Sequence, residues 1–227
     1  MKELSLVMPF YNEEQIAANI IETTISELKQ SKIEFELICV NNGSSDNTEL
    51  ILADLQKRHK EIKILKINKN QGYGWGIITG LNAATGSYIG YTDGDGQVAV
   101  KDIVRVLDSL KERNYDICKG ERVIRGDGLQ RKIASFGYNF GFNVLFSTNF
   151  GDINAKPKIM KRECLRKMNL QSKDWFIDSE ILIKAKKLNY KVGEVKVEFS
   201  GRKTGKSNIK STTAFEFIKN ALKAKLK

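Results

Sequence analysis

Two carboxylates, Asp93 and Asp95, lie two positions apart in Tyr91-Thr92-Asp93-Gly94-Asp95-Gly96-Gln97. The run before them, Ser87–Thr92, alternates in polarity and predicts a strand, so both acids fall where that strand ends. On a turn, two acids at this spacing can be aimed at one divalent cation. Hard cations such as Mg²⁺ or Mn²⁺ take oxygen ligands and commonly bridge to phosphates. The glycines at 94 and 96 remove side chains, leaving room for a bulky ligand to approach the backbone. Solvated turn acids follow the same pattern, so the weight of this pair rests on the residues that accompany it.

The elements that must position it alternate between strand and helix. Strands are expected at Leu4–Met8, Phe35–Val40, Ile62–Ile67, Ser87–Thr92 and Asp116–Lys119. Helices fit the apolar spacing of Glu13–Lys29, of the segment after Ser44-Ser45-Asp46, of Tyr73–Ala84 despite its glycines, and of Val100–Leu110. Asn12 and the Ser44–Asp46 run are candidate N-caps. Such alternation implies an α/β fold with a mostly parallel sheet, which binds ligands beyond the carboxyl ends of its strands. Asn41-Asn42-Gly43, Asp93-x-Asp95 and Gly120-Glu121-Arg122 all fall at such ends. The second half is less regular. It predicts an aromatic helix at Leu129–Phe146, a strand at Lys158–Lys161, helices at Glu163–Met168 and Asp178–Leu188, and a strand at Val192–Phe199. A glycine-containing basic loop, Gly201–Ser207, then precedes a final helix over Thr213–Leu226.

The chain has 227 residues, enough for one domain with a sizeable core, and a net charge of +11. From Gly201 onward there are eight Lys/Arg and one acid, Glu216, which implies an anionic partner or a solvated basic face. A single histidine, His59, sits in a charged helix end, so a histidine metal site or a Ser-His-Asp triad is hard to build. Cys39, Cys118 and Cys164 are widely spaced and read as reduced thiols of an intracellular protein, two of them in core strands. Neither a signal peptide nor an apolar run long enough to span a bilayer is expected. Two domain segments follow: 1–210 as the main body and 211–227 as an amphipathic basic helix.

Pro9-Phe10-Tyr11-Asn12-Glu13, Gly43-Ser44-x-Asp46-x-Thr48 and Gly80-Leu81-x-x-Ala84-Thr85-Gly86, followed by Asp93-x-Asp95, resemble the motifs of family 2 glycosyltransferases. Later blocks, Glu180-Ile181-x-Ile183-x-Ala185, Gly193-Glu194-Val195 and Arg202-x-x-Gly205-x-Ser207, resemble the dolichol-phosphate mannosyltransferase and polyprenyl-phosphate glycosyltransferase branch. The resemblance covers nearly the whole chain and implies a GT-A fold, a Rossmann-like mixed, mostly parallel sheet flanked by helices. It also implies an inverting, metal-dependent transfer of a sugar from a nucleotide-sugar donor. Donor binding then falls to Pro9, Tyr11, Asn12, Glu13, Asn41, Asn42, Gly72, Asp93, Gly94, Gln97, Lys206 and Ser207. Asp93 and Asp95 hold Mg²⁺ or Mn²⁺, and Asp95, Arg122 and Arg202 take catalytic roles. The chain departs from the family at Asn41-Asn42, where two acids are usual; an amide offers a base edge a different hydrogen-bonding pattern. Gly151–Lys156 departs from the branch's Thr-Gly-x-Phe/Arg pattern, and the C-terminal transmembrane pair of some relatives is absent, as in the soluble members.

A hydroxyl acceptor asks for a general base, for which Asp152, Asp178 and Glu180 are candidates. A lipid phosphate, with a second pKa of ~6, arrives already ionised. The cations Arg125, Arg131, Lys132 and Lys156 suit such an acceptor. The expected partners are therefore a nucleotide-sugar donor, a lipid-phosphate acceptor, an anionic membrane surface and a membrane-anchoring protein, with no nucleic acid. The expected location is cytoplasmic and peripheral to the membrane. Phe136, Tyr138, Phe140, Phe142 and Phe146 read either as core or as an interfacial helix. In the final helix Phe215, Ile218, Leu222 and Leu226 form one apolar stripe. Two other readings remain: a family 2 transferase acting on a saccharide hydroxyl, and a nucleotide-sugar binding subunit without catalysis.

Overall fold

A computed structural model describes residues 2–125, 129–200 and 213–225, with backbone alone for 124–125, 129–132 and 213–218. Leu4–Phe10 (β1), Phe35–Asn42 (β2), Ile62–Ile67 (β3) and Tyr88–Tyr91 (β4) are joined by helices Ala17–Gln30 (α1), Thr48–Arg58 (α2) and Tyr73–Asn82 (α3). Val100–Glu112 (α4) leads to Ile117–Arg125 (β5) and Leu129–Phe146 (α5). Lys158–Lys161 (β6), Arg162–Met168 (α6), Ile177–Lys187 (α7), Val192–Phe199 (β7) and Thr213–Lys225 (α8) complete the order.

These strands form a seven-stranded sheet in the order β3-β2-β1-β4-β6-β5-β7. β1 pairs parallel with both β2 and β4, whereas β6 runs antiparallel between β4 and β5. The sheet is thus mixed and mostly parallel. Strand residues alternate between its faces. Leu4, Leu6, Met8 and Phe10 pack with α1, α2 and α4, while Val7, Ile38 and Val40 pack with α3 and α7. A third cluster, around Phe142, Phe176, Leu182 and Ala221, seats α5 and α8 on α7.

The chain leaves β1 toward β2 and β3, then returns to place β4 on the other side of β1. That reversal opens a crevice beyond the carboxyl ends of β1 and β4, the position at which open α/β sheets take ligands. α3 forms despite its glycines because they let it lie close to the sheet. A Cβ on Gly80 would meet Val7 Cγ1 at 2.2 Å, and one on Gly76 would meet Asn42 Nδ2 at 3.2 Å.

Two expectations are corrected. Asn12 does not cap α1; its φ is 55° and its side chain turns to the neighbouring loop. In α8 the described residues packed on the third cluster are Ala221 and Ala224, while Leu222 is 53% exposed. The small alanines let the helix approach α5, and the larger leucine is left on the outer face.

The aromatics of α5 divide between its two faces. Phe142 is buried, and Tyr138 and Phe146 pack against the third cluster. Ile133, Phe136, Phe140 and Val144 form an outward stripe, each between 64% and 72% exposed. No helix among the described residues is long and apolar enough to cross a membrane.

Candidate active site

Two loops at the ends of β1 and β2 are stapled together. The Asn12 N–H donates to Ser44 Oγ at 3.1 Å, and Asn12 Oδ1 accepts from the Ser45 N–H at 2.8 Å. The Glu13 N–H donates to Thr48 Oγ1, and the Glu14 N–H to Asp46 Oδ2. Burial alone would raise the Asp46 pKa, but hydrogen bonds from Thr48 and the Glu14 backbone more than offset it, and the net shift is downward. The Ser44, Asp46 and Thr48 side chains therefore fix the backbone of residues 12–14 against the second loop.

The departure at Asn41-Asn42 has a local reason. Asn41 Nδ2 donates to Glu49 Oε2 at 3.4 Å, and Asn42 Nδ2 donates to the Gly72 carbonyl at 3.0 Å. A carboxylate at either position would face an acceptor with no proton to offer. Within the described residues Asn42 Oδ1 and Thr92 Oγ1 are buried without a hydrogen-bond partner.

Glycines expected to admit a ligand instead admit the protein's own chain. A Cβ on Gly94 would meet the Phe10 ring at 2.7 Å and the Pro9 carbonyl at 2.8 Å. Gly72, at φ +109°, abuts the Lys173 carbonyl, which also accepts from the Trp75 N–H at 3.1 Å. The turn before α3 is thereby fixed to residues 172–174.

Asp93 is held on both oxygens. The Tyr73 hydroxyl donates to Oδ1 at 2.5 Å, and Lys156 Nζ lies 3.6 Å from Oδ2. Tyr73 stacks on Trp175, with centroids 4.2 Å apart and planes 11° from parallel. Asp95 Oδ1 accepts from the Gln97 N–H at 3.1 Å. Gln97 Nε2 in turn donates to the Ser200 carbonyl at 3.0 Å, and the Ser200 N–H to the Gln97 carbonyl at 2.9 Å. The acidic turn is thus tied to the end of β7, immediately before the basic segment at 201.

Behind Asp93 lies a buried ionic group. Asp178 meets Lys158 Nζ at 2.5 Å on Oδ1 and Lys156 Nζ at 3.0 Å on Oδ2, with the Tyr91 hydroxyl on Oδ1 at 2.7 Å. Burial works to raise the Asp178 pKa, but the two ammoniums and Tyr91 outweigh it, so its carboxyl sits below the ordinary range. Burial, with Lys156 and Lys119 beside it and Asp178 opposing, pushes Lys158 down to about 8. For Lys156 burial is again the largest influence, but Asp178 and Asp93 overcome it and the net shift is upward. Tyr73 and Tyr91, buried next to carboxylates, are shifted well above the ordinary phenol value and remain hydrogen-bond donors.

On the β5 side Arg122 grips Asp152 with two bonds, Nε to Oδ2 at 2.6 Å and Nη2 to Oδ1 at 2.9 Å. Its guanidinium lies 4.9 Å from the centroid of the Phe199 ring. A register shift between Arg122 and Ile124 interrupts the β5–β7 ladder there, as bulges do beside sites. Glu180 accepts from the Gln171 and Ser172 N–H groups and pairs with Lys184 at 2.7 Å.

Of the expected site residues, Pro9 lies against Gly94, Asn42 against Gly72, Asn41 against Glu49, Asn12 and Glu13 against the Ser44–Thr48 loop, and Asp95 against Gln97; Tyr11 follows Pro9 and Phe10 at the end of β1. Lys156, expected among the acceptor cations, is buried and committed to Asp93 and Asp178. Arg202, Lys206 and Ser207 lie outside the described residues, as do the side chains of Arg125, Arg131 and Lys132. Sequence reasoning missed Tyr73, Tyr91, Trp175 and Lys158. The one available signal was the spacing Lys156-Pro157-Lys158, two lysines two positions apart at the start of a short strand with apolar Ile159 and Met160.

Comparison with known proteins agrees with this geometry. The profile of Glycosyl transferase family 2 matches residues 5–168. Dolichyl-phosphate beta-glucosyltransferase of Dictyostelium discoideum is 28% identical over 216 residues, covering 87% of this chain and 66% of that protein. Undecaprenyl-phosphate 4-deoxy-4-formamido-L-arabinose transferase of Photorhabdus laumondii is 31% identical over 169 residues, covering 74% of this chain and 52% of that protein. The chain thus spans about half to two thirds of the length of these relatives. Among solved structures, glucosyl-3-phosphoglycerate synthase of Mycobacterium tuberculosis, crystallised with Mn²⁺, UDP and phosphoglyceric acid, superposes with a TM-score of 0.78. That likeness covers 99% of this chain and 78% of the other at 17% identity, and it concerns the fold.

Proposed function

The chain belongs to glycosyl transferase family 2, and we propose that it transfers a sugar from a nucleotide-sugar donor to a polyprenyl (dolichyl-type) phosphate. The observation that carries this reading is the state of the acids around the crevice. Asp178 is held between two lysines, Asp152 is gripped by Arg122, and Glu180 is engaged by two backbone N–H groups and Lys184. A hydroxyl acceptor needs a base to take its proton in the transition state. A phosphate monoester needs none, because with a second pKa of ~6 it is already largely dianionic. Acids matched by protein cations suit the second acceptor. The relatives whose names specify dolichyl- and undecaprenyl-phosphate support the same choice.

In this mechanism a phosphate oxygen attacks the anomeric carbon from the face opposite the diphosphate. The new C–O bond forms as the old one breaks, and the electron pair leaves with the nucleoside diphosphate; no proton is transferred. The stapled loops of Asn12 and Ser44–Thr48 shape the donor crevice, and Asn41 and Asn42 hold its floor. Arg122, oriented by Asp152 and Phe199, presents positive charge beside the transfer path. Arg202, Lys206 and Ser207 are assigned to the donor phosphates by the family resemblance alone.

The carboxylates of Asp93 and Asp95 are a hard-oxygen set that fits Mg²⁺ or Mn²⁺. Asp93 and Asp95 would hold such an ion, which would supply positive charge to the departing diphosphate.

The outward stripe of α5 and the exposed Lys219 and Lys223 of α8 suit a peripheral position on an anionic bilayer, where the lipid acceptor resides. The test is transfer of radiolabelled sugar to a short polyprenyl phosphate and to the corresponding alcohol, in parallel, over a panel of nucleotide sugars. Transfer to the phosphate alone is expected. Comparable rates with the alcohol would overturn the phosphate-acceptor mechanism and favour a saccharide-type hydroxyl acceptor with its own base.

A further inference from the structure

We infer that Asn220 of α8 is a positioning residue for the acidic turn, holding Asp93 in place through Asp174, Trp175 and Tyr73. This rests on the reading of Asp93 as a donor-site carboxylate. Asn220 Nδ2 donates to Asp174 Oδ2 at 2.9 Å, a bond between residues 46 positions apart. The other oxygen of Asp174 accepts from the Phe176 N–H at 2.8 Å. Trp175, between these two anchored residues, is fixed on either side, and its ring stacks on Tyr73. Tyr73 in turn donates to Asp93 Oδ1 at 2.5 Å. An unbroken run of contacts thus leads from the C-terminal helix to the turn at the end of β4.

Asparagine is among the weaker helix formers, so its place inside α8 costs helix propensity that the bond to Asp174 offsets. Its neighbours define the face on which it lies. Lys219 is exposed, whereas Ala221 is buried in the third cluster with Phe142 and Phe176. The docking of α8 therefore carries Asn220 to Asp174. Beyond Asp174 the chain has no room to slide over α3. A Cβ on Gly74 would meet the Ser172 and Asp174 carbonyls at 2.2 and 2.6 Å, and the Trp75 N–H donates to the Lys173 carbonyl. Residues 172–174 and the first turn of α3, which carries Tyr73, shift together or not at all. Glu180 holds the start of this segment at Gln171 and Ser172, and Asn220 holds Asp174 near its end. At the far end of the run Asp93 is shared, with Tyr73 on Oδ1 and Lys156 facing Oδ2 at 3.6 Å. Loss of the Asn220 bond frees Asp174, lets Trp175 turn on Tyr73, and alters the hydrogen bond that Asp93 receives.

The test is ¹³C NMR of the whole chain carrying ¹³C-carboxylate aspartate, with no donor, metal or lipid added. The Asp93 signal is identified by its loss in Asp93→Asn. Asn220→Ala is expected to move that signal. Tyr73→Phe, which deletes the hydroxyl but keeps the stacked ring, is expected to move it as well. Placed on top of Tyr73→Phe, Asn220→Ala should cause no further movement, because the path to Asp93 is already cut. Lys223→Ala, on the same helix but exposed, is expected to leave the signal where it is. An Asn220 that served α8 alone would move the Asp174 signal and not that of Asp93. Asp174→Asn breaks the same bond from the other side, since it keeps an oxygen for the Phe176 N–H but turns an NH₂ toward that of Asn220. It is expected to displace the Asp93 signal too, and it decides the matter if Asn220→Ala fails to fold. An Asp93 signal at the wild-type position in either folded variant would overturn the inference, as would further movement in the Tyr73→Phe background. Because neither binding nor transfer is measured, failure of the lipid-phosphate assay and failure here are separate results.

Discussion

Asp178 shows how far a residue's role depends on its neighbours. At the start of α7 an acid is favourable for dipole reasons alone, and its sequence position also suits a general base. Buried between Lys156 and Lys158, it is instead the anchor of an ionic group. Removing one member of a buried pair leaves an uncompensated charge, so Asp178→Asn is expected to cost about 3 kcal/mol of stability at pH 7. The pH dependence has a definite sign. The folded-state pKa of Asp178 is lowered relative to an unfolded value of about 3.9. Its contribution is therefore complete above that value and is lost as pH falls through the folded pKa. Urea unfolding at neutral pH and near pH 3 checks this: the gap between wild type and Asp178→Asn should narrow in acid. Equal stabilities at pH 7 would mean that the lysines do not need the carboxylate. The roles of Asn41 and Asn42 were no more legible, because the acceptors they serve, Glu49 and Gly72, meet them only across folded elements.

At the level of elements, periodicity located strands and helices well, and the differences lie at their ends. β2 runs on to Asn42 and β5 to Arg125, beyond the apolar cores that mark them in sequence. Their extensions are carried by ladder hydrogen bonds to β3 and β7, which polar side chains do not prevent. α3 is the instructive case, since glycine weakens a helix by ~1 kcal/mol relative to alanine. Here the missing side chain at residue 80 is filled by Val7 and Val40 from the sheet. Gly80→Ala would gain helix propensity but push α3 off two β-branched residues that cannot turn aside. A net loss of about 1–2 kcal/mol is expected, from overpacking of the kind that costs ~1–3 kcal/mol. Thermal or urea unfolding of Gly80→Ala measures it, and a more stable variant would show that α3 does not lie as close to β1 as described.

For the molecule as a whole, charge and exposed apolar surface act together. The chain carries +11, and α5 turns Ile133, Phe136, Phe140 and Val144 outward while α8 exposes Lys219 and Lys223 beside Leu222. Each lysine near an anionic surface contributes about 1 kcal/mol, an attraction that salt screens. Cosedimentation with anionic liposomes is expected to be strong at low salt and to fall as salt rises. Phe136→Ser/Phe140→Ser should weaken it at every salt concentration without lowering the unfolding temperature. Binding unchanged by that double substitution would assign the stripe another role. The amino-acid sequence by itself determined the alternating α/β order, the acidic turn at the end of β4 and the motifs of the family, because each is written in local spacing and residue type. It also determined the basic excess, which needs no fold to be counted. Only the tertiary structure decided which aromatics of α5 are core, why amides stand at 41 and 42, and that Lys156 faces Asp93 and Asp178. Those outcomes depend on contacts between residues from eight to about eighty positions apart, most of them more than twenty. A side chain's partners across such distances are set by packing and strand order, which periodicity along the chain does not encode.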